Sequence, residues 1–133
     1  MAGAHLEGQP LHEELVARGA RLRERTTTAP EYRLFALAGG PPARAGLVRV
    51  SGEGHAIEVE VYRVPRSEVG ELLAAVPPPL AIGRVSLIHG ELVHGFVCEP
   101  MGIEGALDIS TWGGWRAFLA QPAYRQNGCP SGS

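Results

Sequence analysis

Cysteine, lysine, aromatic residues and long apolar runs are all scarce or missing. Two cysteines occur in 133 residues. Cys98 stands in an apolar strand-like run and Cys129 in a Gly/Pro/Ser-rich stretch, so the pair gives no disulfide framework and reads as reduced thiols of a cytoplasmic protein. No apolar run approaches the roughly 20 residues a bilayer span needs. The N-terminus has no charged flank followed by an apolar stretch, so neither a membrane partner nor secretion is expected. Lysine is absent, all 12 basic residues being arginine; a coding bias toward Ala, Gly, Arg and Pro accounts for this, and it carries no mechanistic weight. The net charge is only -2, and the one basic run (Arg18, Arg21, Arg23, Arg25) has no aromatic platform beside it, which argues for a solvated face over a nucleic-acid footprint.

The common catalytic signatures are missing too. There is no P-loop, Rossmann glycine fingerprint, Cys-x-x-Cys pair, zincin His pair or Gly-x-Ser-x-Gly elbow. The five histidines are spread out, so neither a metal site nor a cofactor is expected.

What is present suits one ordinary domain. A chain of this length buries about two-thirds of its surface, and 44% hydrophobic with 20% charged residues is a globular composition. Leu11, Leu15 and Val16 predict a helix over about Gln9–Ala17, ended near Gly19. Alternation from Ala20 to Thr28 predicts a half-exposed strand with its arginines outward, and Tyr32–Leu37 reads as the next strand, closed by Gly39-Gly40-Pro41-Pro42. Strands at Gly46–Val50 and Ala56–Val64 bracket Gly52-Glu53-Gly54 and read as a hairpin. In the second of these, Ile57, Val59 and Val61 take one face, while Glu58, Glu60 and Tyr62 read as the polar face of a sheet.

Ser67 is the expected N-cap of a helix carrying Val69, Leu72, Leu73 and Val76, stopped by Pro77-Pro78-Pro79. Ala81–Ile88 and Leu92–Cys98 flank His89-Gly90-Glu91 as a second hairpin. Asp108 or Ser110 then caps a helix through Trp112, Trp115, Phe118 and Leu119, with both tryptophans as core anchors. The expectation is therefore an α+β fold: a small, mostly antiparallel, barrel-like sheet with about three short helices, over residues 1–121. Residues 122–133 are expected to form a polar, mobile tail.

Among the histidines, His55 and His89 fall in turns and His94 alternates with apolar neighbours. His5 differs, because it follows a small-residue turn and precedes a helix. There the amides of Gly3, Ala4 and His5 can converge on an anion while the imidazole exchanges a proton near neutral pH. A turn histidine without a role is the plain alternative. Glu99 ends an apolar strand beside Pro100, which makes it a candidate functional acid.

A more specific signal lies in a series of runs. They are Ala2-Gly3-Ala4-His5-Leu6-x-Gly8-x-Pro10-Leu11, Arg18-Gly19-Ala20, Thr28-Ala29-Pro30-x-Tyr32-Arg33-Leu34, Gly46-Leu47-Val48-Arg49-Val50 and Ala56-Ile57-Glu58-Val59-Glu60-Val61, then Pro79-Leu80-x-Ile82-Gly83, Gly95-Phe96-x-Cys98-Glu99-Pro100 and Asp108-Ile109-Ser110-x-x-Gly113-Gly114-Trp115-Arg116. In this order the chain resembles the C-terminal domain of allophanate hydrolase. That domain is similar in fold to the gamma-glutamylcyclotransferases, whose early Tyr-Gly-Ser-Asn-Leu turn corresponds here to Ala2-Gly3-Ala4-His5-Leu6. The glutamate those enzymes use falls at Ala75-Val76-Pro77-Pro78, where no carboxylate stands. An altered cyclotransferase is therefore the weakest functional reading.

The resemblance implies a pocket roofed by the glycine turn and a small carboxylated urea derivative as ligand. It further implies decarboxylation of the N-carboxylated product of an amidase, with no cofactor and with His5 as acid/base. Gly3, Ala4, Leu6, Tyr32, Arg33, Gly83 and Glu99 would shape the ligand site, the turn amides and Arg33 holding carboxylates. The Ser-Ser-Lys amidase domain of the family is not in this chain, which leaves two expectations open: a separate amidase supplies the substrate, or the chain is an isolated domain of a longer arrangement. The rival expectation is a non-catalytic module that assembles with an amidase partner or as a homodimer.

Overall fold

The computed structural model describes residues 1–3, 6, 9, 11–38 and 43–120. His5, Ala4 and the segment 121–133 lie outside them, and with these the expected tail and Cys129. The elements run α1 (His12–Ala17), β1 (Arg21–Thr27), β2 (Tyr32–Ala36), β3 (Ala45–Arg49), β4 (Glu58–Arg63), α2 (Arg66–Ala74), β5 (Leu80–Ser86), β6 (Leu92–Cys98), β7 (Leu107–Asp108) and α3 (Trp115–Ala120). Short 3-10 turns at Pro100–Ile103 and Ser110–Trp112 flank β7. The class is α+β, with three short helices on antiparallel strands, as the residue pattern predicts.

Among the described residues the strands do not close into one barrel. They form three antiparallel units, β1-β4, β3-β2-β7 and β5-β6. The β5-β6 hairpin forms as expected, with Gly83 opposite Gly95. The hairpin expected around Gly52-Glu53-Gly54 does not: β3 pairs with β2, and β4 pairs with β1. Turn chemistry fixes where a chain bends, whereas the partner of a strand is chosen by which apolar faces meet.

Two helix starts also differ from expectation. α2 begins after Pro65, in place of a Ser67 cap, and no side chain caps it. The final segment is broken by Gly113, in the left-handed region at φ 82°, so Trp112 stays exposed while Trp115 and Phe118 are buried.

Leu6, Tyr32, Leu34, Leu47, Ile57, Val85, Ile109, Trp115 and Phe118 form the core, drawn from β2, β3, β5 and α3 and from segments outside the strands. Strand β3 packs on β6 at Gly46, where a Cβ would lie 2.9 Å from the Cys98 Cβ; only glycine allows that approach. Among the described residues every buried side-chain nitrogen and oxygen has a hydrogen-bond partner. Thr28 Oγ1 accepts from the Ile57 N–H at 3.0 Å and donates to the Ala29 carbonyl at 2.8 Å. Ser110 Oγ accepts from the Leu34 N–H at 2.8 Å and donates to Asp108 Oδ1 at 2.6 Å. Ser110→Ala strands the Leu34 amide in the core, so chemical denaturation is expected to give a loss of about 1–3 kcal/mol; an unchanged midpoint would remove that role.

Candidate functional site

A hollow of about 560 Å³ lies between β4, α2 and the β5-β6 hairpin. Residues from both faces of β4 line it (Val59, Glu60, Val61, Tyr62), so it runs along the edge of that strand. Met1 takes up part of this edge, its carbonyl accepting from the Glu60 N–H at 2.8 Å. The opposite wall is apolar: Val69, Leu72 and Leu73 of α2 face Ile82, Leu92 and Phe96 of the hairpin. Polar groups reach the hollow only as Arg23, Glu60, Tyr62 and His94 among the described side chains.

Arg23 arrives there through a bulge. The β1-β4 register shifts between Leu22 and Glu24, leaving Arg23 without a cross-strand partner and re-aiming its side chain. Its guanidinium grips Glu91 at 2.6 and 3.0 Å and also bonds Glu24. Glu24, Glu91 and His89 come within 4.8 Å of one another, a spacing a cation could use, yet Arg23 already donates to both carboxylates. Those hydrogen bonds hold the Glu24 and Glu91 carboxyls below the usual range.

Glu60 is the notable group. Its side chain is 1% exposed. Oε2 accepts from Arg116 at 2.7 Å and from Arg25, directly opposite on β1, at 3.2 Å; Oε1 accepts from the Tyr62 hydroxyl at 2.7 Å. Burial alone would push this carboxyl up, but the bonds from Arg116, Tyr62 and Arg25 outweigh it, and the group lies below its ordinary value. Tyr62 is pushed up by burial and by Glu60, so its hydroxyl stays protonated as the donor. His12 Nδ1 lies 3.4 Å from that hydroxyl and ties α1 to the network. The alternating pattern of β4 reads Glu60 as a solvated sheet position. Only the packing of α3, which brings Arg116, makes that face an interior one.

A second, smaller hollow of about 20 Å³ adjoins the first, sharing Met1, Ala2, Leu47 and Phe96 with it and adding Gly3, Arg44, Ala45 and Leu80. Gly3 belongs to the glycine turn, whose closure is the Leu6 N–H donating to the Gly3 carbonyl at 2.9 Å. A Cβ on Gly3 would sit 2.9 Å from the Ala45 Cβ, so this glycine is needed for the turn to rest on β3.

The other residues expected at the site are placed as follows. Leu6 is wholly buried in the core. Tyr32 is buried as well, and its hydroxyl accepts from the Ser86 N–H at 2.9 Å. Arg33 is held by Asp108 at 2.7 Å, with Glu53 3.8 Å away, and lines neither hollow. Burial works against the Asp108 charge, but two bonds from Ser110 and the Arg33 pairing keep its carboxyl below the usual range. Gly83 sits in the β5-β6 ladder, where a Cβ would meet Val97 at 3.3 Å. Glu99 is exposed beyond β6, its amide donating to the Pro79 carbonyl at 2.8 Å. Gly3 is thus the one expected residue among those described that lines a hollow. Arg23, Arg44, Glu60 and Tyr62 line one without having been singled out.

No helix among the described residues is long and apolar enough to cross a membrane. The family model for the allophanate hydrolase C-terminal domain matches residues 1–120. The urea amidolyase of Saccharomyces cerevisiae is 43% identical over 123 residues, a stretch that covers 90% of this chain and 7% of that protein. The urea amidolyase of Lachancea kluyveri is 41% identical over the same length, again 7% of that protein. Among solved structures, Kluyveromyces lactis allophanate hydrolase superposes with a TM-score of 0.85 at 41% identity, covering 89% of this chain and 20% of that one. A uropathogenic E. coli-specific protein superposes at 0.83 with 28% identity and is covered over 92% of its length. This chain spans only a small part of its curated relatives, and that part is one domain. It belongs to the allophanate hydrolase C-terminal domain family.

Proposed function

We propose that this domain binds a small carboxylated urea derivative beneath its glycine turn and decarboxylates the N-carboxylated product of an amidase. The observation that carries the reading is the position of Gly3. It lines a small cleft that shares Met1, Ala2, Leu47 and Phe96 with the large hollow, and it is packed closely on Ala45 of β3, which fixes this end of the turn at the cleft. In the reaction the C–N bond to one carboxylate breaks, its electron pair stays on nitrogen, a proton joins that nitrogen and CO2 leaves. His5, the titratable residue of the turn, is the proton donor in this reading, and the relatives' printed names place them in urea and allophanate chemistry.

The test is bicarbonate release from freshly generated amidase product, comparing the unaltered domain with His5→Ala. Equal rates, both no faster than buffer, would remove the catalytic reading.

A second reading, assembly with an amidase or with a second copy, draws on the apolar side chains left exposed around the large hollow: Val69 at 40%, Leu73 at 49% and Leu92 at 53%. On this reading size-exclusion chromatography of the domain, alone and mixed with an amidase, gives a mass above the 14.1 kDa of one chain. A monomer in both runs would discard it.

A further inference from the structure

We infer that Arg44 is the residue that recognises the carboxylate of the ligand, an inference that rests on the small-molecule reading of the glycine-turn cleft. Six arginines are engaged by carboxylates: Arg18, Arg23, Arg25, Arg33, Arg49 and Arg116. Of the described arginines outside that set, Arg21, Arg63, Arg66 and Arg84 are exposed to solvent, where a guanidinium needs no partner. Arg44 is half-buried, lines the cleft beside Gly3, and has no carboxylate partner among the described residues. A half-buried cation without a counter-charge is costly unless something else supplies one.

Its backbone is pinned on both sides. The Arg44 carbonyl accepts from the Leu37 N–H at 3.0 Å, and the next residue, Ala45, is the one that Gly3 packs against. The backbone of Arg44 is therefore fixed beside Gly3, at the lining of the cleft. Arg23, which lines the large hollow, is bound to Glu91 and Glu24, and Arg25 and Arg116 are bound to Glu60. A ligand carboxylate entering from the large hollow meets Arg44 as the available arginine.

Size divides the ligand between the two hollows. A cleft of about 20 Å³ takes a group little larger than one water, so the carboxylate enters it and the remainder stays in the 560 Å³ hollow. The planar guanidinium fork matches a carboxylate through two parallel N–H···O bonds, a geometry that an amide of the same shape cannot satisfy.

The probes are ureidoacetate, a stable carboxylated urea, and its neutral counterpart ureidoacetamide, titrated into the whole chain by NMR or calorimetry. The unaltered protein is expected to prefer the anion. Arg44→Gln should weaken ureidoacetate binding roughly 10- to 100-fold and leave ureidoacetamide within about twofold. Arg44→Lys should fall between, since a point charge restores attraction without the fork. Arg63→Gln, an exposed arginine that lines neither hollow, is the control and should change neither affinity, and melting temperatures check that each variant is folded. Should Arg44→Gln hold ureidoacetate as tightly as the unaltered protein, or lose both probes alike, the assignment of Arg44 is wrong while the site reading stands. If the unaltered protein binds neither probe, the site reading falls and takes Arg44 with it.

Discussion

Replacing His5 with alanine is expected to slow CO2 release from the N-carboxylated amidase product by roughly 100- to 10,000-fold, the range a positioned general acid supplies. The physical demand is on nitrogen. As the C–N bond breaks, its electron pair would otherwise remain on a strongly basic nitrogen anion, and a proton delivered in the same step removes that penalty. An imidazole with an ordinary pKa of about 6.5 is protonated often enough at neutral pH to deliver it. The sign with pH follows: a general acid works only while protonated, so the rate should fall as pH rises through the imidazole value. Two further readouts separate chemistry from folding. Added imidazole should restore part of the His5→Ala rate, and ureidoacetate affinity should change far less than turnover. A His5→Ala protein with the unaltered rate and pH profile would take His5 out of the reaction.

Removing the charge of Glu60 should have the largest effect on stability. Glu60→Gln keeps the side-chain shape but turns an acceptor toward two guanidinium groups into a competing donor. Breaking a buried ion pair from one side costs roughly 3–5 kcal/mol. Arg25 is 53% exposed and Arg116 31%, so water re-solvates part of what is lost. A loss near 3 kcal/mol in urea unfolding is expected on that ground.

The pH dependence gives an independent check. The folded carboxyl of Glu60 lies below its ordinary value of 4.5, so the stability it contributes is complete above 4.5 and drains away as pH falls through the lower folded value. Asp108 shifts in the same direction and contributes to the same acid loss. Glu60→Gln should therefore flatten the stability curve on the acid side of 4.5. A variant as stable as the unaltered protein, with the same acid limb, would show that the Glu60 network contributes nothing net.

The local elements were largely legible from the residues. Strand β2 reads directly from Tyr32-Arg33-Leu34-Phe35-Ala36, and the β5-β6 hairpin from the polar turn at His89-Gly90-Glu91, because period-two alternation and turn residues act over a few positions. A turn after Gly3 was legible for a similar reason, since a run of small residues is a local signature, and the Leu6 N–H to Gly3 carbonyl bond closes it. Pairing was not legible: β4 could face β3 or β1, and its alternation is the same in either case.

The charged groups around the hollows show most clearly where reading the chain stops. Glu60 and Arg33 look alike along their strands, each a charge alternating with apolar neighbours. Arg33 ends on an outer face because β7 brings Asp108 beside it, while Glu60 ends in the interior because α3 brings Arg116 over it. Arg44 sits in an unpatterned stretch before β3, where no periodicity marks it.

The order of residues by itself determined the class of fold, the position of the glycine turn and membership of the allophanate hydrolase C-terminal domain family, because propensity, turn chemistry and family runs are all written within short stretches of chain. Tertiary structure alone decided which charges meet one another, which stay exposed and which line a hollow. The ion pairs that decide burial join distant residues: Arg25 and Glu60 are 35 positions apart, Arg33 and Asp108 are 75. Contacts of that range depend on how whole elements pack.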